Sequence, residues 1–420
     1  MQRDQNKTCI VIVDPYSEGA TLAESLRARR VKCIAVESSQ AIPKQMRKCF
    51  NPAVFWDIIR HEDNYRRTLD AVGRHRPAFV MPGSESGVEL AEKLGNDLGL
   101  PTNGVNLCEA RRDKYLMAKA VRTGGLRTAT QFLSSDVEEI VDWTESTLDW
   151  PVIVKPPKSV SSDSVAFCKS DDEVRAADSR ILTATNVLGC RNHAVLVQEF
   201  LAGTEYIVDT VSRDGRRKTT AIWQYNRPPT KRAGEFISYD AMTLLPYTGE
   251  RQEALQSYAY QVLDALAIDF GPAHCELMWV DGEPVLVEVA ARQAGGMCAL
   301  LSGICGGISQ LDETISILLE PERFLATLND KPCLHRRAVI LFLVPQRRGH
   351  LIRVRGLDKI WRLPTLHSAS VGAQPGDMLK RVAGVVILID EDIHSIERDV
   401  GVIRALEREG MFEVENEGPE

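Results

Sequence analysis

A chain of 420 residues with a formal net charge of -7 is too long for one compact core and carries no overall basic field for nucleic acid. Its 44% hydrophobic and 26% charged residues are ordinary for a globular protein, and no apolar run nears the roughly 20 residues that span a bilayer. Ten cysteines without a CxxC pair suit reduced thiols, and the polar first eight residues lack a signal-peptide core, so a cytoplasmic protein is expected, with neither nucleic acid nor membrane as partner.

Residues 9–13 read as a buried strand, and the turn Asp14-Pro15-Tyr16-Ser17-Glu18-Gly19 leads into a helix carrying Leu22 and Leu26. Residues 31–36 and 78–81 are further strands, and Pro82-Gly83-Ser84 opens a helix over about 85–98. This βαβα alternation predicts a parallel sheet covered by helices, with ligands expected near 14–19 and 82–87, at the carboxyl ends of the strands. Leu100-Pro101-Thr102-Asn103-Gly104 marks a domain edge. An amphipathic helix over about 113–123 stops at Gly124-Gly125. Strands follow at 150–155 and 165–168, with a serine-rich loop between them, and then at 194–199, 205–212, 219–225 and 236–244. A helix near 251–266 precedes strands at 274–280 and 285–290. From about 332 the pattern is β-rich again, with strands at 339–344, 351–354 and 385–389, a helix near 397–408 and an acidic end from 415 that is expected to fray.

The most informative local feature is a pair of carboxylates. Glu276 and Glu288 each interrupt an apolar strand, and Asp281-Gly282 between them is a hairpin signal. A three-residue loop over 281–283 sets the two glutamates directly opposite one another, with Cβ atoms roughly 4.5–5.5 Å apart, whereas a strict two-residue turn puts them on opposite faces. Two buried carboxylates that close repel unless a cation lies between them or one is protonated, and hard oxygen ligands suit Mg²⁺. Two surface glutamates on half-exposed strands are the alternative, but the pairing, the apolar flanks and nearby Arg292 favour a metal. Arg292 would clamp a phosphate or carboxylate, or else pair with the glutamates themselves. The Gly295-Gly296 backbone would approach an anion closely and offer N–H donors.

Lys155 ends an apolar run beside a flexible loop, a place suited to phosphate, although most strand-end lysines are simply solvated. The loop Lys158-Ser159-Val160-Ser161-Ser162-Asp163-Ser164 would fold over phosphates by N–H and O–H donation, or it is an ordinary polar hairpin. Without a glycine it is neither a P-loop nor a dinucleotide fingerprint. Gln198-Glu199-Phe200-Leu201 would present backbone N–H and C=O to an adenine edge between apolar walls, and Glu205 would accept from ribose hydroxyls.

Taken in order, Arg112-Asp113-Lys114-Tyr115, Val154-Lys155-Pro156, Gln198-Glu199-Phe200-Leu201, Glu276 and Glu288 resemble the ATP-grasp superfamily over nearly the whole chain. Within it the chain is most similar to the L-amino-acid ligases, the dipeptide synthetases. That likeness rests on Val13-Asp14-Pro15-Tyr16-Ser17, the stretch from Gly83 to Ala91, Leu100-Pro101-Thr102-Asn103, the serine loop, Gly271-Pro272-Ala273-His274-Cys275-Glu276 and Glu288-Val289-Ala290-Ala291-Arg292. The resemblance implies an ATP-grasp fold, α/β with α+β character in its ATP-binding part, behind a doubly wound parallel-sheet domain. Residues 1–105 would form that N-terminal domain and 106–200 the small ATP-grasp subdomain with its lid loop. Residues 201–330 would form the large subdomain with the metal site, completed by a β-rich subdomain over 331–420.

The resemblance also implies ATP and Mg²⁺, with Mn²⁺ as a substitute. Lys114 and Lys155, with Ser161 and Ser162 of the loop, would contact ATP phosphates; Glu199, Phe200 and Leu201 would line adenine and Glu205 would hold ribose. Glu276 and Glu288 would bind metal between the phosphates. Arg292, with Gly295 and Gly296, would stabilise the transferring phosphoryl group or a tetrahedral intermediate. Glu235, Tyr239 and Asp240 would recognise a substrate amine, and His274 would shape the substrate side or simply pack. Ala290 stands where many ATP-grasp enzymes carry the asparagine of Glu-x-Asn, so the metal shell would use more water or carboxylates alone. The loop also lacks the glycines usual in D-alanine ligases.

The implied reaction activates a carboxylate as an acyl phosphate, which an amine then attacks, with amino acids expected as substrates and a homodimer as the assembly. An ATP-grasp carboxylase, a ligase of a non-amino-acid carboxylate and a non-catalytic ATP-binding module are the alternatives. An oxidoreductase is disfavoured by the missing GxGxxG after Val13.

Overall fold

The computed structural model describes residues 8–44, 47–62, 64–226, 240–379 and 382–415. The continuous apolar run β1 (Cys9–Val13) is buried on both faces, as a central parallel strand must be. It pairs in parallel with β2 (Lys32–Glu37) and, on its other side, with β4 (Phe79–Pro82), while β3 (Asp57–Arg60) closes the order β3-β2-β1-β4. Helices α1 (Glu18–Ala28), α2 (Tyr65–Arg74) and α3 (Val88–Asp97) connect and cover these strands. The helix expected from residue 85 starts instead as one tighter 3₁₀ turn, Glu85–Gly87. The loops after β1 and β4 touch backbone to backbone. A Cβ on Gly19 would lie 2.5 Å from Gly83 Cα, and one on Gly83 would lie 2.6 Å from the Asp14 carbonyl oxygen.

Helix α4 (Lys114–Thr123) is started by Asp113, whose carboxylate accepts from the N–H groups of Tyr115 and Leu116 at 2.9 and 3.0 Å. Gly124 ends it. A second sheet, ordered β5-β8-β6-β7, is antiparallel: β5 (Gln131–Ser134), β6 (Val152–Lys155), β7 (Ala166–Cys168) and β8 (Val195–Glu199). Helices α5 (Val137–Thr147) and α6 (Asp171–Thr183) pack their Ile140, Val141, Val174 and Ile181 against its Val152, Val154 and Val197.

The third sheet has eight antiparallel strands in the order β13-β12-β9-β10-β11-β14-β17-β16. They are β9 (Thr204–Arg213), β10 (Arg216–Asn226), β11 (Ala241–Leu245), β12 (Gly271–Val280), β13 (Glu283–Ala290), β14 (Arg337–Leu343), β16 (Leu366–Val371) and β17 (Gly384–Asp390). Residues 236–239 of the strand expected at 236–244 lie outside the described residues. β15 (Leu351–Val354) pairs separately with β18 (Phe412–Val414). Helices α7 (Glu250–Ala265), α8 (Cys298–Ile304), α9 (Gln310–Leu319), α10 (Pro321–Ala326), α11 (Leu357–Ile360) and α12 (Ile393–Arg408) complete the fold. The first sheet meets the third through one apolar cluster, in which Ile10, Ile12 and Leu26 join Phe270 with Leu311 and Ile315 of α9. Among the described residues no helix is long and apolar enough to cross a membrane.

The β12–β13 hairpin has the two-residue turn weighed above but not the opposite facing expected from it. Its turn is a strict two-residue one, since Val280 pairs with Glu283, and Asp281 and Gly282 take φ of 53° and 88°. That register alone would send the glutamates to opposite faces. A β-bulge between the Leu277↔Leu286 and Glu276↔Glu288 pairs adds Val287 to one strand and restores the direct pairing of the two carboxylates.

Candidate active site

The second and third sheets face each other across a cavity of about 880 Å³. Its walls include Lys114, Lys155, the loop over 159–163, the segment over 198–201, Glu205, His274, Glu276, Glu288 and Arg292. Ser161, Ser162, Glu199, Phe200, Leu201, Gly295 and Gly296 line it as well, so the structure gathers residues spread over more than 180 positions of sequence. Glu235 and Tyr239 lie outside the described residues. Asp240 is described but takes no part in this lining, and its carboxylate instead forms an ion pair with Arg404 of α12.

Strand alternation turns Glu276 and the neighbouring His274 to one face. His274 Nδ1 lies 2.6 Å from the fully buried Asp209 carboxylate, and its Nε2 lies 3.4 Å from Glu276. Burial would favour neutral imidazole, but the two carboxylates outweigh it and push the His274 pKa up to about 10. The histidine is held between Asp209 and Glu276 and so helps to position Glu276. Glu288 is met by Lys114 Nζ at 2.8 Å. Burial would raise its pKa, yet Lys114 and then Lys155 hold it below the usual carboxylate value. The Lys114 ammonium also donates to the Ser159 carbonyl at 2.7 Å, tying the serine loop to the carboxylate pair.

Two facing carboxylates with an ammonium already drawn to one of them form a donor set that fits a hard divalent cation. Among the described residues no group of three His, Cys, Asp or Glu side chains is arranged to hold a metal unaided. Magnesium here would rest on Glu276, Glu288, water and nucleotide phosphates, the mixed shell it commonly adopts. Ala290 pairs with His274 at the end of β13 and brings no ligand.

Lys155 is 6% exposed at the end of β6. Burial, and next the Lys114 charge, lower its pKa to about 8 despite the nearby Glu288, Glu276 and Glu205. The loop beyond it holds Ser161, Ser162 and Ser164 at φ of 54–58°, where glycine would normally be used. Asp163 braces this conformation, accepting from Ser159 Oγ at 2.8 Å and from the Val187 N–H at 3.0 Å. In the segment expected to meet adenine, the Glu199 N–H already donates to the Thr130 carbonyl at 2.9 Å. An adenine contact at Glu199 would therefore use its carbonyl. Ile153, Leu201, Met278 and Leu286 supply apolar walls around it.

Arg292 lies just past the end of β13, and its Nε donates to Glu85 at 2.8 Å; it pairs with neither glutamate of the hairpin. Glu85 also binds Arg112, and these two guanidinium groups overcome the effect of burial to lower its pKa to about 2. The Gly296 N–H, expected to receive an anion, already holds one: the Glu18 carboxylate at 2.8 Å. Glu18, the first residue of α1, and Glu85, in the 3₁₀ turn, follow the carboxyl ends of β1 and β4; no residue of 14–19 or 82–87 lines the cavity, but these two glutamates hold Gly296 and Arg292, which do. Neither glutamate was singled out in the sequence, nor was Asp209 or the role of Arg112. The location of Glu85 in an unusually polar segment after a parallel strand was the available signal.

A family model described as "ATP-grasp domain" matches residues 148–300. The chain is 29% identical over 422 residues to dapdiamide A synthase of Enterobacter agglomerans, covering 96% of each protein. Its fold is similar to the crystal structure of an L-amino acid ligase from Bacillus licheniformis, with a TM-score of 0.74 at 16% identity, covering 97% of this chain and 99% of that one. It is also similar to the ADP complex of N5-carboxyaminoimidazole synthetase from Staphylococcus aureus, with a TM-score of 0.70 at 14% identity over 94% and 96% of the two chains. At these identities the likeness to the solved structures is one of fold.

Proposed function

We propose that this ATP-grasp ligase joins the carboxylate of one L-amino acid to the amine of another, consuming ATP and releasing ADP and phosphate. The observation that carries the reading is the single cavity that combines the Glu276–Glu288 pair, two lysines and Arg292. The whole-chain similarity to dapdiamide A synthase supports amide formation.

In this reading adenine lies between the two sheets at 199–201, with ribose on Glu205 and the phosphates on Lys114, Lys155 and the serine loop. Glu276 and Glu288 would hold Mg²⁺, which would offset charge on the transferring phosphoryl group. A substrate carboxylate oxygen attacks the γ-phosphorus and the bond to the ADP oxygen breaks. An amine nitrogen then attacks the acyl carbon, loses a proton, and phosphate leaves. Arg292, oriented by Glu85, stabilises the negative charge that develops in each step. The serine loop excludes the water that would hydrolyse the acyl phosphate.

The test is ADP and phosphate release across a panel of amino-acid pairs, with the product identified by mass spectrometry. Glu288→Gln is expected to lower turnover by about 10²-fold or more. Unchanged turnover in that variant would remove the metal assignment, and a panel without any amino-acid-dependent ATP hydrolysis would remove the ligase reading. The fold shared with N5-carboxyaminoimidazole synthetase favours one second reading, a non-amino-acid carboxylate substrate. ADP release that responds to such acids and to no amino acid would support it.

A further inference from the structure

The serine loop is gripped from behind by a turn that does not line the cavity. Residues 185–191 join α6 to β8 and are closed by a bridge between Thr185 and Arg191. Asn186 in this turn is buried, and its side-chain amide is fully used. Oδ1 accepts from the N–H groups of Leu188 and Cys190, both at 3.0 Å. Nδ2 donates to the Lys158 carbonyl at 3.0 Å and to Asn192 Oδ1 at 3.4 Å. Two N–H groups on one side and a carbonyl on the other allow only one orientation of the amide. The next residue, Val187, gives its N–H to Asp163. The turn therefore holds the loop at its root, Lys158, and again at Asp163. It rests in its own right on the loop after β2, since Gly189 takes φ of 82° and a Cβ there would run into the Ala41 carbonyl oxygen. The Lys158 ammonium reaches Glu89 of α3 and Glu109, each at 3.4 Å. Those ion pairs are partly exposed and restrain little by themselves. The buried, fully bonded Asn186 is the firmer restraint.

We propose that Asn186 is a positioning residue for the ligase reaction: by fixing the Lys158 carbonyl it holds the serine loop over the phosphates and decides how the acyl phosphate divides between the amine and water. The inference rests on the ligase reading above and adds to it a residue outside the cavity. The residue after Lys158, Ser159, binds Lys114 through its carbonyl, and Lys114 meets Glu288. A shift at the loop's root is thereby passed to the ammonium beside the carboxylate pair. Water admitted under a loosened loop attacks the acyl carbon, displaces phosphate, loses a proton and returns the free carboxylate. ATP is then consumed and no amide forms.

The experiment measures ADP released against amide formed, with one productive amino-acid pair, in the parent enzyme, Asn186→Asp and Gly189→Ala. Asn186→Asp keeps the acceptor for Leu188 and Cys190 but sets a second oxygen against the Lys158 carbonyl. Gly189→Ala forces the turn away from Ala41 and serves where the aspartate is not tolerated. ADP release in excess of amide should rise by about 5-fold or more in both variants, the shift in loop closure that one lost hydrogen bond supports. The ratio within one preparation does not depend on how much of a variant folds. A role in stability alone would lower both products together and leave the ratio unmoved. An unmoved ratio in both variants overturns the proposal and leaves the ligase reading intact. A parent whose ATP hydrolysis responds to no amino acid removes the ligase reading instead, and hydrogen exchange over 158–164 then decides the role of Asn186. Faster exchange there in both variants, with 152–155 unchanged, upholds it as the restraint on the loop, and unchanged exchange overturns it.

Discussion

Lys155 is an ammonium group held almost out of water, and the folded chain bears a cost for it. Its pKa is lowered to about 8 by burial and then by Lys114, well below the roughly 10.4 of a free lysine. At pH 7 the group is charged in both folded and unfolded chains, so the folded state carries the full penalty. As pH rises from about 8 toward 10.4 the folded chain sheds this proton first, and the penalty is relieved. Phosphates would relieve it at neutral pH by supplying the missing counter-charge. Lys155→Met should therefore raise the melting temperature of the free protein at pH 7, with a smaller gain near pH 10. It should also shrink the stabilisation that ATP and Mg²⁺ give the parent. Melting curves at the two pH values, with and without nucleotide, check both parts. A variant that melts several degrees lower at pH 7 would make Lys155 a stabilising structural ion instead.

At the scale of elements, the loops after β1 and β4 act as one unit because glycine lets their backbones touch. A methyl group on Gly83 would meet Asp14 O, Pro15 Cα and Ile12 Cγ2 within 2.8 Å. Two residues further on, Glu85 holds Arg292 across 207 positions of sequence. Gly83→Ala should destabilise the protein by about 1–3 kcal/mol in urea unfolding. It should also lower kcat more than it raises the KM for ATP, because the guanidinium loses its orientation while the adenine wall is untouched. Undiminished kcat in the folded variant would detach Glu85 from the chemistry. These long-range pairs explain much of what the sequence conceals. The carboxylates of the hairpin were legible because each interrupts an apolar strand, and the run Cys9–Val13 was legible because both its faces are buried. Glu18, at the start of α1, and Glu85, in a 3₁₀ turn, have partners 278 and 207 residues away. Helix α2 turns Tyr65, Leu69 and Val72 to the core among mostly polar residues, a stripe too short to stand out, and β3 has two exposed polar ends. The bulge at Val287 escapes pattern reading too, since alternation shows which residues share a face but not where one is left over.

Across the whole molecule, the cavity joins two sheets that have no strand in common. Lys114 already bridges them, from the Ser159 carbonyl on one side to Glu288 on the other. A nucleotide bound there would replace one ammonium with a chain of phosphate contacts to both sides, so opening of either would require breaking the same set of interactions. Local opening would then become cooperative. ATP with Mg²⁺ should slow amide hydrogen exchange together in two separated segments, 159–164 and 274–290, while β15 and β18, which lie outside the cavity lining, keep their rates. ADP alone should protect 198–201 with less effect on the serine loop, because the terminal phosphate is the part nearest the proposed metal pair. Protection confined to one sheet would mean that the nucleotide does not bridge the cavity, and the assignment of Lys114 and Lys155 to one bound ATP would fall with it.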